Sequence, residues 1–220
     1  MSRLHLRSLA LAFSFALAGI APRLAAGDVQ VNVRDAKGVP VADAVVSLVP
    51  LDTPAAPPTT PASPAVITQQ GQEFDPYVTA VVVGTRVNFP NHDKVRHQVY
   101  SLSKTKSFEI PLFGPGTEQS ILFDKPGIVA LGCNIHDWMS AYVVILETPH
   151  FMKTPADGLA RLADLPLGRY RLDVWHPRLA TEARRDVVVT ADSATQTISV
   201  TLKPDKRLRR APDGAGGGYK

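Results

Sequence analysis

The chain has one cysteine, Cys133, in 220 residues. A single cysteine excludes an internal disulfide, so the thiol is a buried side chain, a site of oxidation or a metal ligand. Methionine is almost as scarce, with Met139 and Met152 the only two beyond the start residue. Aromatic residues make up 7% of the chain, which leaves Trp175 as the only loose candidate for stacking on a sugar. No convincing helical periodicity is present, so a helical bundle is excluded. The charge is nearly balanced, at 24 basic and 20 acidic residues. Much of the basic excess lies at the two ends: Arg3, Arg7 and Arg23, then Lys206, Arg207, Arg209, Arg210 and Lys220. That placement provides no basic face for nucleic acid.

The one long apolar run, Leu9 to Ile20, follows Arg3 and Arg7 and precedes the small residues Ala25, Ala26 and Gly27. It reads as a secretory signal peptide over residues 1–26, with an uncleaved anchor as the alternative. The run is shorter than the roughly 20 apolar residues of a spanning helix, so no transmembrane segment is expected in the mature chain. No cysteine lies near the cleavage point, which excludes a lipoprotein anchor. Export to the periplasm is therefore expected. Residues 204–220 read as a basic, Gly-rich, disordered tail.

Between these ends, short alternating or β-branched runs are separated by turn residues, which predicts an all-β protein. Strands are expected at Val29–Val33 and Val45–Val49, on either side of a turn at Asp35–Gly38. Residues 51–64 carry five prolines and read as a linker or crossover. Eight strands are expected next: Val66–Gln69, Tyr77–Val83, Arg86–Phe89, Gln98–Ser101, Ser107–Pro111, Glu118–Phe123, Gly127–Leu131 and Ala141–Glu147. This is the density of a compact sandwich. Further strands follow at Leu159–Leu162, Tyr170–Trp175, Asp186–Thr190 and Thr197–Leu202, with turns at Thr154–Gly158 and Leu165–Gly168.

Within Cys133-Asn134-Ile135-His136-Asp137-Trp138-Met139 lie a thiolate, an imidazole and a thioether. One thiolate, two imidazoles and a weak thioether make up a blue-copper ligand set, and His97 is well placed to supply the second imidazole. Zinc would accept the same donors. His92 is the rival to His97, but it lies in a turn-like Pro-Asn-His-Asp with no strand directly after it. His150 and His176 have no ligand partners in sequence and read as packing or surface residues.

Residues 64–148 resemble the cupredoxins, through VNFPNHDKVRHQVYS at Val87–Ser101 and GIVALGCNIHDWMSAYVVI at Gly127–Ile145. The short Cys-x-x-His-x-x-Met spacing is similar to that of amicyanin. The whole chain resembles periplasmic plastocyanin-like proteins of methylamine-utilisation type. The resemblance implies a Greek-key cupredoxin β-sandwich and one type 1 copper held by His97, Cys133, His136 and Met139. It also implies that His136 lies nearest the surface. Gln98 stands where many cupredoxins have an asparagine that ties the ligand loops, so Gln98 or Asn91 is the expected tie.

The outer segments, VQVNVRDAKGVPVADAVVSLVP at Val29–Pro50 and TPADGLARLADLPLGRYRLDVWHP at Thr154–Pro177, resemble transthyretin-like, carboxypeptidase-regulatory-type β-sandwiches. A second, discontinuous sandwich from residues 27–60 and 149–203 is the expectation, with the copper domain inserted. The alternative is an N-terminal hairpin packed on the middle domain.

The cupredoxin resemblance implies a non-enzymatic periplasmic carrier of single electrons, with a cytochrome or dehydrogenase as redox partner. A multicopper oxidase would flank its cysteine with histidines, whereas Gly132 and Asn134 stand here. A copper chaperone or store would use the same donors, but such sites are commonly exposed and Met-rich. A non-redox binding module is the remaining alternative.

Overall fold

A computed structural model describes residues 26–52 and 63–207. Every regular element among them is a strand. In chain order these are β1 (Ala26–Asp35), β2 (Val45–Pro50), β3 (Ala65–Val66), β4 (Thr68–Gln70), β5 (Glu73–Asp75), β6 (Val78–Val82), β7 (Thr85–Pro90), β8 (His97–Leu102) and β9 (Ser107–Phe113). They continue with β10 (Glu118–Phe123), β11 (Gly127–Gly132), β12 (Ser140–Leu146), β13 (Phe151–Lys153), β14 (Leu159–Pro166), β15 (Gly168–Trp175), β16 (Ala183–Val189) and β17 (Ala194–Val200). The protein is all-β, as its alternating pattern predicts. The expected signal peptide, apart from Ala26, most of the proline-rich linker and residues 208–220 of the tail lie outside the described residues.

The central strands form a three-stranded sheet, β10-β7-β3, and a five-stranded sheet, β6-β12-β11-β8-β9. Alternate residues of a strand face opposite sides, so each sheet turns one row inward. Val87, Phe89 and Phe123 from the smaller sheet meet Val99, Ile110, Val129, Leu131, Ala141, Val143 and Ile145 from the larger in one buried cluster. The pairings mix short-range and long-range partners: β11 and β12 are antiparallel neighbours, while β6 joins β12 in parallel.

The outer strands form a second pair of sheets, β14-β1-β17 and β13-β2-β15-β16. Their shared core draws Val29, Val31 and Val33 from β1, Leu48 from β2 and Leu172 from β15. The Asp35–Gly38 turn closes as expected. The Asp35 carboxylate accepts the amides of Lys37 and Val39, and the Gly38 amide bonds the Asp35 carbonyl. A third, smaller cluster joins the two halves, with Val45 against Val78 and Val144. There Tyr142 packs edge-on between Tyr77 and Trp175, with both centroid distances 5.6 Å.

Two local expectations are corrected. The predicted turn at Leu165–Gly168 narrows to a bend at Leu167. Leu165 and Pro166 still pair with β1, Gly168 already pairs with β16, and the chain changes sheets at Leu167 alone. The open backbone of Gly168, with φ of 149°, permits that crossing. The predicted strand Val66–Gln69 divides at Ile67. β3 runs parallel to β7, whereas β4 forms a hairpin with β5, a strand the sequence pattern did not indicate.

Candidate metal centre

Three of the four expected ligands extend inward-facing strand rows beyond the core. On β8, His97, Val99 and Ser101 are all buried at spacing two. On β11 the inward row Val129, Leu131 continues to Cys133, which is 3% exposed. On β12 the row Ile145, Val143, Ala141 runs back to Met139, which is 1% exposed. Because Gly132 pairs with Ser140, the ends of the last two rows lie on adjacent strands. His136 sits in the connecting loop, half-buried, and a turn from the Met139 amide to the His136 carbonyl (2.9 Å) closes it.

The structure brings His97, Cys133 and His136 together. One ligand atom from each lies within 4.8 Å of the others. The two imidazole rings are 5.0 Å apart by centroid. Met139 belongs to the same buried cluster as Cys133. Gly132 has its own steric reason: a Cβ there would come within 2.8 Å of the Tyr100 ring, which packs beside the approach to Cys133.

The state of His97 follows from its surroundings. One ring nitrogen, Nε2, lies 2.7 Å from Oδ2 of Asp93. An ionised carboxylate only accepts, so a neutral His97 carries its proton on Nε2 and leaves a lone pair on Nδ1. That Nδ1 is buried and has no hydrogen-bond partner among the described residues. An unpartnered, lone-pair-bearing nitrogen in a buried position is costly unless something occupies it. The donor set therefore fits a soft, nitrogen- and sulfur-binding metal.

Asp93 belongs to no ligand motif in the sequence. Burial pushes its carboxyl pKa up, but the Gln72 amide, His97 and the Gly71 amide outweigh burial and hold it below the ordinary value. The only clue in sequence was an acid four residues before a histidine. Trp138 packs against His136, with centroids 5.2 Å apart, and its Nε1–H donates to the Gln72 carbonyl at 2.9 Å.

The side chains expected to tie the ligand loops bond elsewhere. Gln98 donates to the Glu109 carboxylate, and Asn91 bonds the Val95 and Phe113 carbonyls and the Asp93 amide. In none of these bonds does either side chain reach 133–139. His92 is exposed and stands outside the cluster, with its amide on the Gln69 carbonyl. His150 packs edge-on to Tyr170, and the His176 Nδ1 accepts the Arg178 amide. Burial holds both imidazoles below the usual pKa, as packing histidines would be.

No protein-family model matches the chain, and no curated protein sequence matches it. Solved structures align with part of it. A copper-containing nitrite reductase from Thermus scotoductus is 28% identical, with a TM-score of 0.37, over 46% of this chain and 25% of its own. This chain thus spans a quarter of that enzyme. A purple cupredoxin from Nitrosopumilus maritimus is 23% identical, with a TM-score of 0.34, over 37% of this chain and 99% of its own. A reduced amicyanin variant is 19% identical, with a TM-score of 0.37, over 46% of this chain and 98% of its own.

Proposed function

We propose that this chain is an exported blue-copper protein that carries single electrons between redox partners. The observation that carries the reading is the convergence of His97, Cys133 and His136 at the end of a closed apolar core. In this reading Met139 is the weak fourth donor, and all four side chains hold one copper. Copper supplies a one-electron couple whose two oxidation states one thiolate, two imidazoles and a thioether accommodate together.

The chain's own residues do the rest. Burial of Cys133 and Met139 excludes water from the sulfur side. The strand rows set the donor positions before metal arrives, so little moves when the charge changes. His136 is the half-buried ligand of the four, which makes its ring the port for the electron. Its partner, a cytochrome or a dehydrogenase, would dock over exposed Ile135. The second pair of sheets serves as a scaffold or partner surface, and its sequence resemblance alone assigns it no activity.

Voltammetry of the copper-loaded chain with a copper(I) chelator present separates this reading from copper handling. A carrier shows a reversible one-electron wave and keeps its metal through repeated cycles. A chaperone or store surrenders copper to the chelator on reduction, and the wave disappears.

A further inference from the structure

The two segments that bear ligands both reach a third element. The β4–β5 hairpin turns at Gly71–Gln72, where Gln72 has a φ of 57°. Asp93, on the loop leading to His97, accepts the Gly71 amide on Oδ1 at 2.7 Å and the Gln72 amide on Oδ2 at 2.8 Å. Its Oδ2 also accepts a hydrogen bond from the His97 Nε2–H. Trp138, on the other ligand loop, donates to the Gln72 carbonyl. The peptide groups of Gln72 therefore point one way to the histidine segment and the other way to the cysteine loop. The hairpin is itself anchored: Phe74 lies in the core, Gln69 is fully buried, and the Gln69 carbonyl holds the His92 amide.

We infer that the Gly71–Gln72 turn is the strut that fixes the spacing of the two ligand segments, with Asp93 and Trp138 as its positioning residues. This rests on the metal-site reading for its consequence, but not for its mechanics. Asp93 sets the His97 tautomer and ring orientation, the service that a carboxylate partner gives a ligating histidine. Trp138 holds the His136 side of the loop to the same residue, through its carbonyl rather than its amide. A shift of the turn would move both loops together, so the two residues act as a unit.

The test uses Asp93→Asn, Trp138→Phe and the double variant, with Asp93→Glu as the conservative control. Asp93→Asn keeps the shape but can neither accept all three bonds nor carry the charge. It is expected to weaken copper binding about 10–100-fold and to raise the reduction potential, with partial recovery in Asp93→Glu. Trp138→Phe keeps the ring and loses the N–H, and is expected to shift the copper paramagnetic resonance lines. In the double variant the effects on potential should fall short of the sum, because both act through Gln72. Amide exchange at Gly71 and Gln72 in the metal-free chain should quicken in either single variant. A blue wild type with additive effects, or with an unchanged potential in Asp93→Asn, overturns the strut. A wild type that never turns blue overturns the metal reading instead. The metal-free exchange then still decides the strut, since unchanged rates at both amides would refute it.

Discussion

Cys133→Ser is expected to abolish the thiolate-to-copper visible band completely and leave at most ordinary tetragonal copper on two imidazoles. A serine hydroxyl does not ionise near neutral pH and offers a hard oxygen where the site presents soft sulfur. Cys133 is buried in the apolar cluster with Met139, so no water-exposed donor stands ready to replace it. A buried hydroxyl without a partner carries its own cost of roughly 1–3 kcal/mol, which could be mistaken for an effect on the metal. Cys133→Ala separates the two, because it removes the donor without adding a polar group. Both variants should lose the band, and Cys133→Ala should melt close to the metal-free wild type. A band that survived in either would place the colour elsewhere.

Phe89→Ala is the largest expected loss of stability. Phe89 is fully buried on β7, between the smaller central sheet and the inward row of the larger one. Removing a buried phenyl ring costs about 3–5 kcal/mol when the site collapses only partly. A domain of this kind has about 5–15 kcal/mol in total, so the loss is a large share. Phe89 also precedes the Asn91–Arg96 loop that delivers His97, so the metal signals should weaken along with stability. Denaturant titration of the metal-free chain and copper binding by the variant measure the two effects. Truncation of Leu172, in the core of the outer sheets, is the comparison: it should reduce stability while leaving the copper spectrum unchanged. Equal damage to the spectrum from both would show that the site depends on the whole molecule.

The candidate donors stand out in sequence as a thiolate, an imidazole and a thioether within residues 133–139, and two of them also continue the strand periodicity. Cys133 stands two residues beyond Leu131, and Met139 two before Ala141, so a reader of alternation could place both on core-facing rows. His97 won over His92 for the same reason, since a strand follows it directly. The strut was not legible. β5 is three residues long and mostly polar, too short for a period to emerge, and its turn is marked only by Gly71. The role of Asp93 depends on amides 21 and 22 residues away, a pairing that no local pattern encodes. The bend at Leu167 is shorter than its sequence suggests for a different reason. Leu-Pro-Leu-Gly has turn chemistry, but pairing to β1 on one side and β16 on the other kept the chain extended almost throughout.

In the proposed site, His97, Cys133, His136 and Met139 hold one copper with the properties of a blue centre. The most direct test of this assignment is the visible and electron paramagnetic resonance spectrum of the chain titrated with copper(II). Saturation is expected at one equivalent, with an intense visible thiolate band and narrow hyperfine splitting. A colourless complex with wide splitting, or no binding at all, would contradict it.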